Sequence, residues 1–198
     1  MEQRFSYIIL LMSFLDTVRE HSEIIAQLQQ HEDVILECSQ RICSCLLHGG
    51  KVLLMGNGGS AADAQHIAAE MVVRYQTSRR ALPAIALTTD SSILTACSND
   101  FGYESLFRRQ IEALATPDDL VIGISTSGES KNVVEGLRAA REQEVKTIVL
   151  TGSNGGSVSD LADHTVAVPS EITARIQEAH ILIGHFWCRQ IDEAFSSS

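Results

Sequence analysis

The sequence has little positive charge, since 15 lysines and arginines stand against 25 aspartates and glutamates and give a formal net charge of −10. A nucleic-acid backbone is bound mainly through basic side chains, so nucleic acid is excluded as a general partner. An anionic ligand would have to be held locally, by backbone N–H groups and hydroxyls.

The sequence also lacks the marks of membrane-anchored or disulfide-stabilised proteins. No run approaches the roughly 18 apolar residues that a membrane span requires. The segment YIILLMSFL follows no basic stretch and precedes no small-residue cleavage site, so we expect neither a signal peptide nor a membrane partner. Five cysteines, an odd number, argue against a secreted disulfide framework. We therefore expect a cytoplasmic protein.

The N-terminal quarter of the chain predicts two helices, over residues 3–30 and 32–48. The first is apolar around much of its circumference between Tyr7 and Leu15, whereas a surface helix needs only one apolar stripe. We therefore expect residues 1–48 to contribute a homo-oligomeric interface.

From residue 49 onward, short apolar runs alternate with helical stretches. The predicted strands are 51–55, 84–88, 119–124, 146–151 and 164–168, and the predicted helices are 60–76, 103–114, 130–143 and 173–195. Continuous apolar strands that alternate with helices are typical of a parallel sheet covered on both faces. We predict a single α/β domain over residues 1–198, with a doubly wound, five-stranded parallel sheet of flavodoxin-like or Rossmann-like type in residues 49–198.

Three of the predicted strands end in loops of small residues. These are GNGGS (the glycine loop, 56–60), STSGES (the serine loop, 125–130) and TGSNGGS (the brace loop, 151–157). Ligands of such folds bind beyond the carboxyl ends of the strands. Backbone N–H groups at a helix N-terminus, together with Ser and Thr hydroxyls, bind an anion without a lysine. The anion that we expect is phosphate.

Other phosphate and nucleophile motifs fit poorly. GNGGSA matches the dinucleotide pattern G-x-G-x-x-A, but Asp90 lies 34 residues beyond Gly56, where about 20 are expected. A dinucleotide would also leave the serine loop without a role. No glycine is followed by Lys and Ser/Thr as in a P-loop, and no G-x-S-x-G elbow is present, so acyl transfer has no support.

Two helices carry candidate catalytic residues. His66 and Glu70, at i and i+4, share a helical face close to the glycine loop, where they can bind a divalent metal or act as an acid/base pair. The alternative is a hydrogen-bonded surface pair. On the last helix Gln177 and His185 share one stripe, and His180 lies three residues beyond Gln177. His180 and His185 are about 140° apart, so both are not expected to face one site. Spacing alone does not choose between the two histidines.

Three cysteines cluster between residues 38 and 45. Cys38 and Cys45 share a helical face while Cys43 turns away. A metal knuckle is the alternative, but we expect these cysteines to be buried small hydrophobic residues.

With these motifs the chain resembles the phosphoheptose isomerases of the SIS domain superfamily. The matching stretches run in order from about residue 50: GNGGSAADAQHIAAEM, LPAIALTTD, NDFGYESLFRRQ, GISTSGESKNVV, TGSNGG and ARIQEAHILIGHFWC. The family converts sedoheptulose 7-phosphate to D-glycero-D-manno-heptose 7-phosphate. The resemblance implies the first step of nucleotide-heptose synthesis for bacterial lipopolysaccharide or capsule, a homotetramer with active sites at subunit boundaries, and one zinc ion per subunit.

The resemblance also assigns residues. It implies a phosphate held by Ser125, Thr126, Ser127 and Ser130, and a sugar surrounded by Asn57, Gly58, Gly59, Glu70, Asn99, Asp100 and Gln177. It implies His66, Glu70, Gln177 and His185 as metal ligands, and Glu70 with His185 as the acid/base pair. The family pattern therefore selects His185 over His180.

One alternative and one departure remain. SIS relatives that bind a bacterial replication initiator share the ARIQE helix and the tetramer without being known as isomerases. In those relatives the positions of Glu70 and His185 are replaced, whereas both residues are present here, which favours the enzyme. The residue before RIQ is Ala174, where some isomerases carry an acid, and this bears on substrate preference.

Overall fold

Five strands form one parallel sheet in a computed structural model that describes residues 13–196. They are β1 (Val52–Gly56), β2 (Ala84–Ala86), β3 (Leu120–Ser125), β4 (Lys146–Thr151) and β5 (His164–Ala167). Their order in the sheet is β2-β1-β3-β4-β5, and every neighbouring pair is parallel. This confirms the predicted α/β fold with a doubly wound, five-stranded sheet.

Eight α-helices surround the sheet in the described part of the chain. They are α1 (Phe14–Gln27), α2 (Glu32–Leu47), α3 (Gly59–Val72), α4 (Ser91–Phe101), α5 (Leu106–Leu114), α6 (Lys131–Glu142), α7 (Gly156–Ser159) and α8 (Thr173–Phe195), with 3-10 turns at Leu28–His31 and Tyr103–Ser105. None of the helices within residues 13–196 is both long and apolar enough to cross a membrane.

Alternate residues of the strands enter two separate cores. In β1, Val52 and Leu54 pack with buried residues of α2, α3 and α8, whereas Leu53 and Met55 pack with α5 and α6 on the other face. Successive side chains of a strand point to opposite faces, so an uninterrupted apolar run is what a sheet covered on both sides requires. The continuous runs of the sequence are thus explained by burial on both faces.

Several predicted boundaries differ from the structure. Helix α4 was not predicted; it begins after Asp90, whose side chain accepts a hydrogen bond of 2.9 Å from the Ile93 N–H. Such a cap stabilises a helix start, which gives this carboxylate a structural role. The first helix ends at Gln27 in a 3-10 turn, and α3 ends at Val72 instead of residue 76. The apolar segment from Tyr7 lies mostly outside the described residues.

The chain after α3 is fixed by a buried ion pair between Arg79 and Asp192. The side chains are 0 % and 4 % exposed, and Arg79 Nε lies 2.9 Å from Asp192 Oδ1. Asp192 also accepts 2.7 Å hydrogen bonds from the backbone N–H groups of Gln76 and Thr77. Arg79 donates to the carbonyl of Glu70, so the pair connects α8, this loop and the end of α3.

Replacing Asp192 by Asn should lower the free energy of unfolding by about 3–5 kcal/mol, because it leaves the Arg79 guanidinium buried without a counter-charge. Denaturant unfolding at pH 7 measures this. Glu142→Gln, which breaks the exposed pair with Arg108, is the control and should cost at most about 1 kcal/mol. Equal losses in the two variants would contradict a special role for the buried pair.

The ion pair also predicts acid sensitivity. Burial raises the pKa of Asp192, but hydrogen bonds from Thr77 and Gln76 and the charge of Arg79 outweigh this and hold the pKa below its usual value. A lowered pKa stabilises the fold above the unfolded-state pKa of about 3.9, and this stability is lost as the pH falls through the folded value. Below about pH 4 the stability of the wild type should therefore fall more steeply than that of Asp192→Asn.

Candidate active site

The three small-residue loops lie side by side at one edge of the sheet. Strand β1 pairs with β3, Gly56 opposite Ile124, and β3 pairs with β4, Ser125 opposite Thr151. Because the strands are parallel, the glycine, serine and brace loops all leave the sheet at its carboxyl edge. The strand order reverses between β1 and β3, which is where ligands bind in such sheets.

The serine loop presents hydroxyls before the N-terminus of α6. Ser125 is 3 % exposed, and its Oγ donates to Ser130 Oγ at 3.0 Å. The N–H of Glu129 donates to Ser127 Oγ at 3.2 Å. Thr126 and Ser127 line a cavity of about 250 Å³ that reaches the start of α8. Hydroxyls and helix N–H groups at one turn make an anion site.

The brace loop and the residue after it, Val158, hydrogen-bond to the serine loop. The Val158 N–H donates to Gly128 O at 3.1 Å, and Gly128 has a φ of +71°, with no room for a Cβ against the backbone of Gly155. The hydroxyl and N–H of Ser157 donate to the carboxylate of Glu129 at 2.7 and 2.8 Å, and these bonds lower the pKa of Glu129. The carboxylate beside the anion site is thereby turned toward the brace loop.

The glycine loop carries Asn57 at the end of β1. The Asn57 amide bonds to the Asn132 amide at the start of α6 and accepts a 2.8 Å hydrogen bond from the Tyr103 hydroxyl. Gly58 is exposed and has a φ of +55°. A Cβ on Gly59 would overlap the amide of Gln177, so glycine is required for the first turn of α3 to contact α8.

Further along the same two helices, three predicted catalytic residues come together. His66 Nε2 lies 3.0 Å from His185 Nε2 and 3.5 Å from Glu70 Oε1. The Glu70 side chain is 23 % exposed. The close approach of α8 to α3 depends on Gly184, where a Cβ would collide with the side chain of Ile67.

His180, the other candidate histidine, points into the core. It is 0 % exposed, and its Nε2 lies 3.2 Å from the carbonyl of Thr151. Burial lowers the pKa of His180 to about 4, so the ring is neutral near pH 7 and Nε2 donates to Thr151. His180 thus ties α8 to the start of the brace loop, while His185 faces His66. The two histidines that helical spacing could not distinguish therefore differ in their surroundings, His180 in the core and His185 beside His66.

Two further predicted residues remain apart from this cluster. Asn99 and Asp100 end α4, both are exposed, and the Asn99 amide donates to Asp100 Oδ1 at 2.7 Å. Within residues 13–196 the structure gives these two side chains no hydrogen bond to any of the three loops. The turn that follows α4 begins at Tyr103, and the Tyr103 hydroxyl is the group that contacts the glycine loop, at Asn57.

The three clustered cysteines pack into or against one hydrophobic core, as small apolar side chains do. Cys38 is buried, and burial raises the pKa of Cys38 to about 12 and that of Cys43 to about 11. The Cys45 thiol donates to the backbone carbonyls of Lys51 and Asp118. All five cysteines are free.

The donor set around His66 fits a divalent metal. A tetrahedral zinc ion with bonds of about 2.0–2.1 Å separates its ligand atoms by roughly 3.3 Å, close to the distances from His66 Nε2 to His185 and Glu70. Within residues 13–196, no three His, Cys, Asp or Glu side chains are already placed so that together they could hold a metal ion. The fourth expected donor, Gln177, is an amide on the same stripe of α8 as His185.

Sequence reasoning missed three residues of this site. The ring of Tyr75 stacks on His185, with centroids 5.5 Å apart and an angle of 24° between the planes. Tyr103 and Asn132 both bond to Asn57. Tyr103 and Asn132 lie within the matched stretches NDFGYESLFRRQ and GISTSGESKNVV, but a polar side chain at the start of a helix or turn carries no spacing signal that reveals a partner distant in the sequence.

Comparison with known proteins decides the family. The SIS domain family matches residues 14–152. The phosphoheptose isomerase of Aquifex aeolicus (strain VF5) is 53 % identical over 176 residues, which cover 88 % of this chain and 92 % of that protein. The phosphoheptose isomerase of Aliarcobacter butzleri (strain RM4018) is 54 % identical over 177 residues, 89 % of this chain and 94 % of that protein. The chain belongs to the phosphoheptose isomerases of the SIS domain family.

Solved structures agree with this assignment. The phosphoheptose isomerase GmhA from Neisseria gonorrhoeae is 42 % identical, with a TM-score of 0.81, and the match covers 91 % of this chain and all of that one. The phosphoheptose isomerase from Francisella tularensis is 37 % identical with a TM-score of 0.84, over 92 % of this chain and all of that one. The chain is therefore an isomerase with the SIS fold.

Proposed function

We propose that this isomerase converts sedoheptulose 7-phosphate to D-glycero-D-manno-heptose 7-phosphate through an enediol, as the first step of nucleotide-heptose synthesis in the cytoplasm. The observation that carries the proposal is the convergence of Glu70, His66 and His185 beside the glycine loop, next to a hydroxyl-rich anion site. Free cysteines fit a reducing compartment. Incubation with sedoheptulose 7-phosphate should yield an aldoheptose phosphate, and its absence would refute the proposal.

The competing function, binding of a replication initiator without catalysis, has no observation in its favour. It requires neither a carboxylate nor a second histidine at the site. Glu70 and His185 are both present and lie on facing helices, at either side of His66. An acid and a base on different helices can reach one sugar from two sides.

Each part of the substrate has residues of suitable chemistry. The phosphate binds Ser125, Thr126, Ser127, Ser130 and the N–H groups at the start of α6, which need no basic side chain. The sugar lies between the glycine loop, with Asn57, Gly58 and Gly59, and the end of α4, with Asn99 and Asp100. Gln177 and Glu70 bound the sugar from α8 and α3.

The reaction moves a carbonyl from C2 to C1. Glu70 removes a proton from C1 as His185 protonates the oxygen on C2, which gives the enediol. Glu70 then returns its proton to C2 while His185 takes the proton from the oxygen on C1, which becomes the aldehyde. Both residues end as they began, and general acid–base transfer of this kind accelerates reactions about 10²–10⁴-fold.

The catalytic assignment predicts the kinetics of three variants. Glu70→Gln keeps the shape of the side chain but not the base, so kcat should fall about 100-fold or more while sugar-phosphate binding survives. His185→Ala should behave in the same way. His180→Ala, the matched control on the same helix, should lose stability from its buried position but retain most of its turnover.

Solvent deuterium exchange into C1, measured alongside turnover, tests this assignment directly. Normal exchange in Glu70→Gln would show that another group carries the proton. An inactive His180→Ala together with an active His185→Ala would exchange the roles of the two histidines.

The phosphate assignment predicts a loss of affinity without a loss of folding. In Ser125→Ala with Ser127→Ala, each lost hydrogen bond to the charged phosphate should cost about 1.5–3 kcal/mol, so KM should rise at least tenfold per serine. Steady-state kinetics and thermal unfolding measure the two effects. An unchanged KM in the double variant would remove these serines from the phosphate site.

We also propose that one zinc ion per subunit binds His66, Glu70, Gln177 and His185. Zinc bound there would polarise the sugar carbonyl as a Lewis acid or order the site. Metal analysis of the native protein should find zinc, and His66→Ala and His185→Ala should lose it. His48→Ala, at an exposed histidine on the end of α2, should keep it. Full retention of zinc in both site variants would refute this ligand set.

A homotetramer with active sites at subunit boundaries is the expected assembly. Helix α1 has no buried residue, while Phe14 and Leu15 are 79 % and 71 % exposed. An apolar groove between α2 and α8, lined by Ile35, Leu182 and Phe186 among others, lies beside it. In the part of the chain that the structure describes, this apolar surface is exposed, and exposed apolar surface of this kind marks an interface.

Charges placed on α1 should disrupt this assembly. Phe14→Glu with Leu15→Glu should reduce the sedimentation coefficient and the activity together, because burying two carboxylates is costly. Leu47→Glu, at a similarly exposed leucine of α2 (59 %), is the control and should sediment as the wild type does. A fully active monomer, or an unchanged assembly, in the α1 variant would contradict the interface.

A further inference from the structure

The side chains of Asn57 and Asn132 form a reciprocal amide pair across the site. Asn57 Nδ2 donates to Asn132 Oδ1 at 2.8 Å, and Asn132 Nδ2 donates to Asn57 Oδ1 at 2.8 Å. Asn57 follows β1, whereas Asn132 lies in the first turn of α6 and is 2 % exposed. The pair thus joins the glycine loop to the helix that begins after the serine loop.

The direction of each hydrogen bond is fixed by the backbone. The N–H of Val133 donates at 3.0 Å to Asn132, and an N–H can only donate, so the receiving atom must be the Asn132 oxygen. That oxygen also faces Asn57, whose nearer atom must therefore be its nitrogen. The second contact of the pair then runs from the Asn132 nitrogen to the Asn57 oxygen. The orientation of both amides follows from one helix N–H, without an arbitrary choice of flip.

Tyr103 completes the set of contacts on Asn57. Its hydroxyl lies 2.8 Å from Asn57 Oδ1 and must donate, because that oxygen is an acceptor. Asn57 Oδ1 accepts two hydrogen bonds, which is the capacity of a carbonyl oxygen. Of the two protons on Asn57 Nδ2, one is bonded to Asn132. Among the residues that the structure describes, the second N–H of Asn57 has no partner, so it remains for a ligand.

We propose that Asn132 and Tyr103 are positioning residues that fix Asn57 as a hydrogen-bond donor to an oxygen of the sugar. Asn57 then offers the substrate an N–H and no acceptor, and its amide cannot rotate without breaking three hydrogen bonds. A donor held in place before binding loses little entropy when the substrate arrives. This inference rests on the proposed function in one respect: it assumes that the ligand is a sugar phosphate.

The turn that carries Tyr103 is held separately from this contact. Glu104, the next residue, accepts a 2.8 Å hydrogen bond from Lys131 at the start of α6. Both side chains of this second link are exposed, at 59 % and 76 %. Glu104→Gln therefore gives a control that weakens the same turn and leaves the Tyr103 hydroxyl and the Asn57 amide intact.

A double-mutant cycle on Asn57 tests the proposal. Tyr103→Phe should raise the Kd for sedoheptulose 7-phosphate about 3- to 10-fold, as loss of one neutral hydrogen bond predicts, and Asn132→Ala should raise it more. In an Asn57→Ala background, Tyr103→Phe should change the Kd less than about twofold, because its effect passes through Asn57. Glu104→Gln should leave the Kd at the wild-type value.

Calorimetric titration of the full-length protein gives these affinities, with inorganic phosphate as a second probe. The Kd for phosphate should stay within about twofold in Tyr103→Phe, whereas general disruption of the site would change both affinities. A Tyr103→Phe effect that persists in full in the Asn57→Ala background would overturn the proposal, as would an unchanged Kd in Tyr103→Phe. If Asn132→Ala fails to fold, the Tyr103→Phe cycle still decides.

Turnover is measured separately from binding in the same proteins. A wild type that binds sedoheptulose 7-phosphate without isomerising it would refute the proposed function, while the binding cycle would still decide the role of Tyr103. If the wild type isomerises the sugar but the effects of Tyr103→Phe and Asn57→Ala on the Kd are additive, the positioning role alone is refuted. A wild type that binds no sugar phosphate would refute both.

Discussion

The parallel register of β1, β3 and β4 is the constraint on which the site depends. It brings three loops that are distant in the sequence to one edge, with Gly56 opposite Ile124 and Ser125 opposite Thr151. A shift of register would separate the glycine loop from the serine loop and break the pair between Asn57 and Asn132. The apolar strands that fill both cores therefore stabilise the fold and also set the relative positions of the glycine, serine and brace loops.

The second requirement is that an acidic chain hold an anion. Glu129, the carboxylate of the serine loop itself, accepts hydrogen bonds from Ser157 of the brace loop, and Lys131 is paired with Glu104. The groups left to bind an anion at the serine loop are thus hydroxyls and helix N–H groups, whose partial charges need no counter-ion when no ligand is bound.

Much of the fold could be predicted from the sequence because burial on both faces leaves a direct pattern. Uninterrupted apolar runs gave all five strands, although β2 is only three residues long and its last predicted positions turn away from the sheet. Helix α4 was not predicted because its segment, SSILTACSNDF, is half polar and mostly exposed and therefore has no clear apolar stripe. The only clear sequence signal for this helix was its N-cap, Asp90. The end of α3 was set by Arg79, through contacts with α8 that no local pattern contains.

The site was predictable to the extent that its residues act through helical spacing. His66 and Glu70, at i and i+4, lie 3.5 Å apart, and Gln177 and His185 face α3 from one stripe of α8, Gln177 at Gly59 and His185 at His66. Helical spacing could not separate His180 from His185, because the difference lies in which neighbour covers each ring: Thr151 in the core, or His66 across a gap kept narrow by Gly184. Asn132 and Tyr103 depend on still longer connections. Their partner, Asn57, lies 75 and 46 residues away, so only the sheet that aligns the loops can bring the three together.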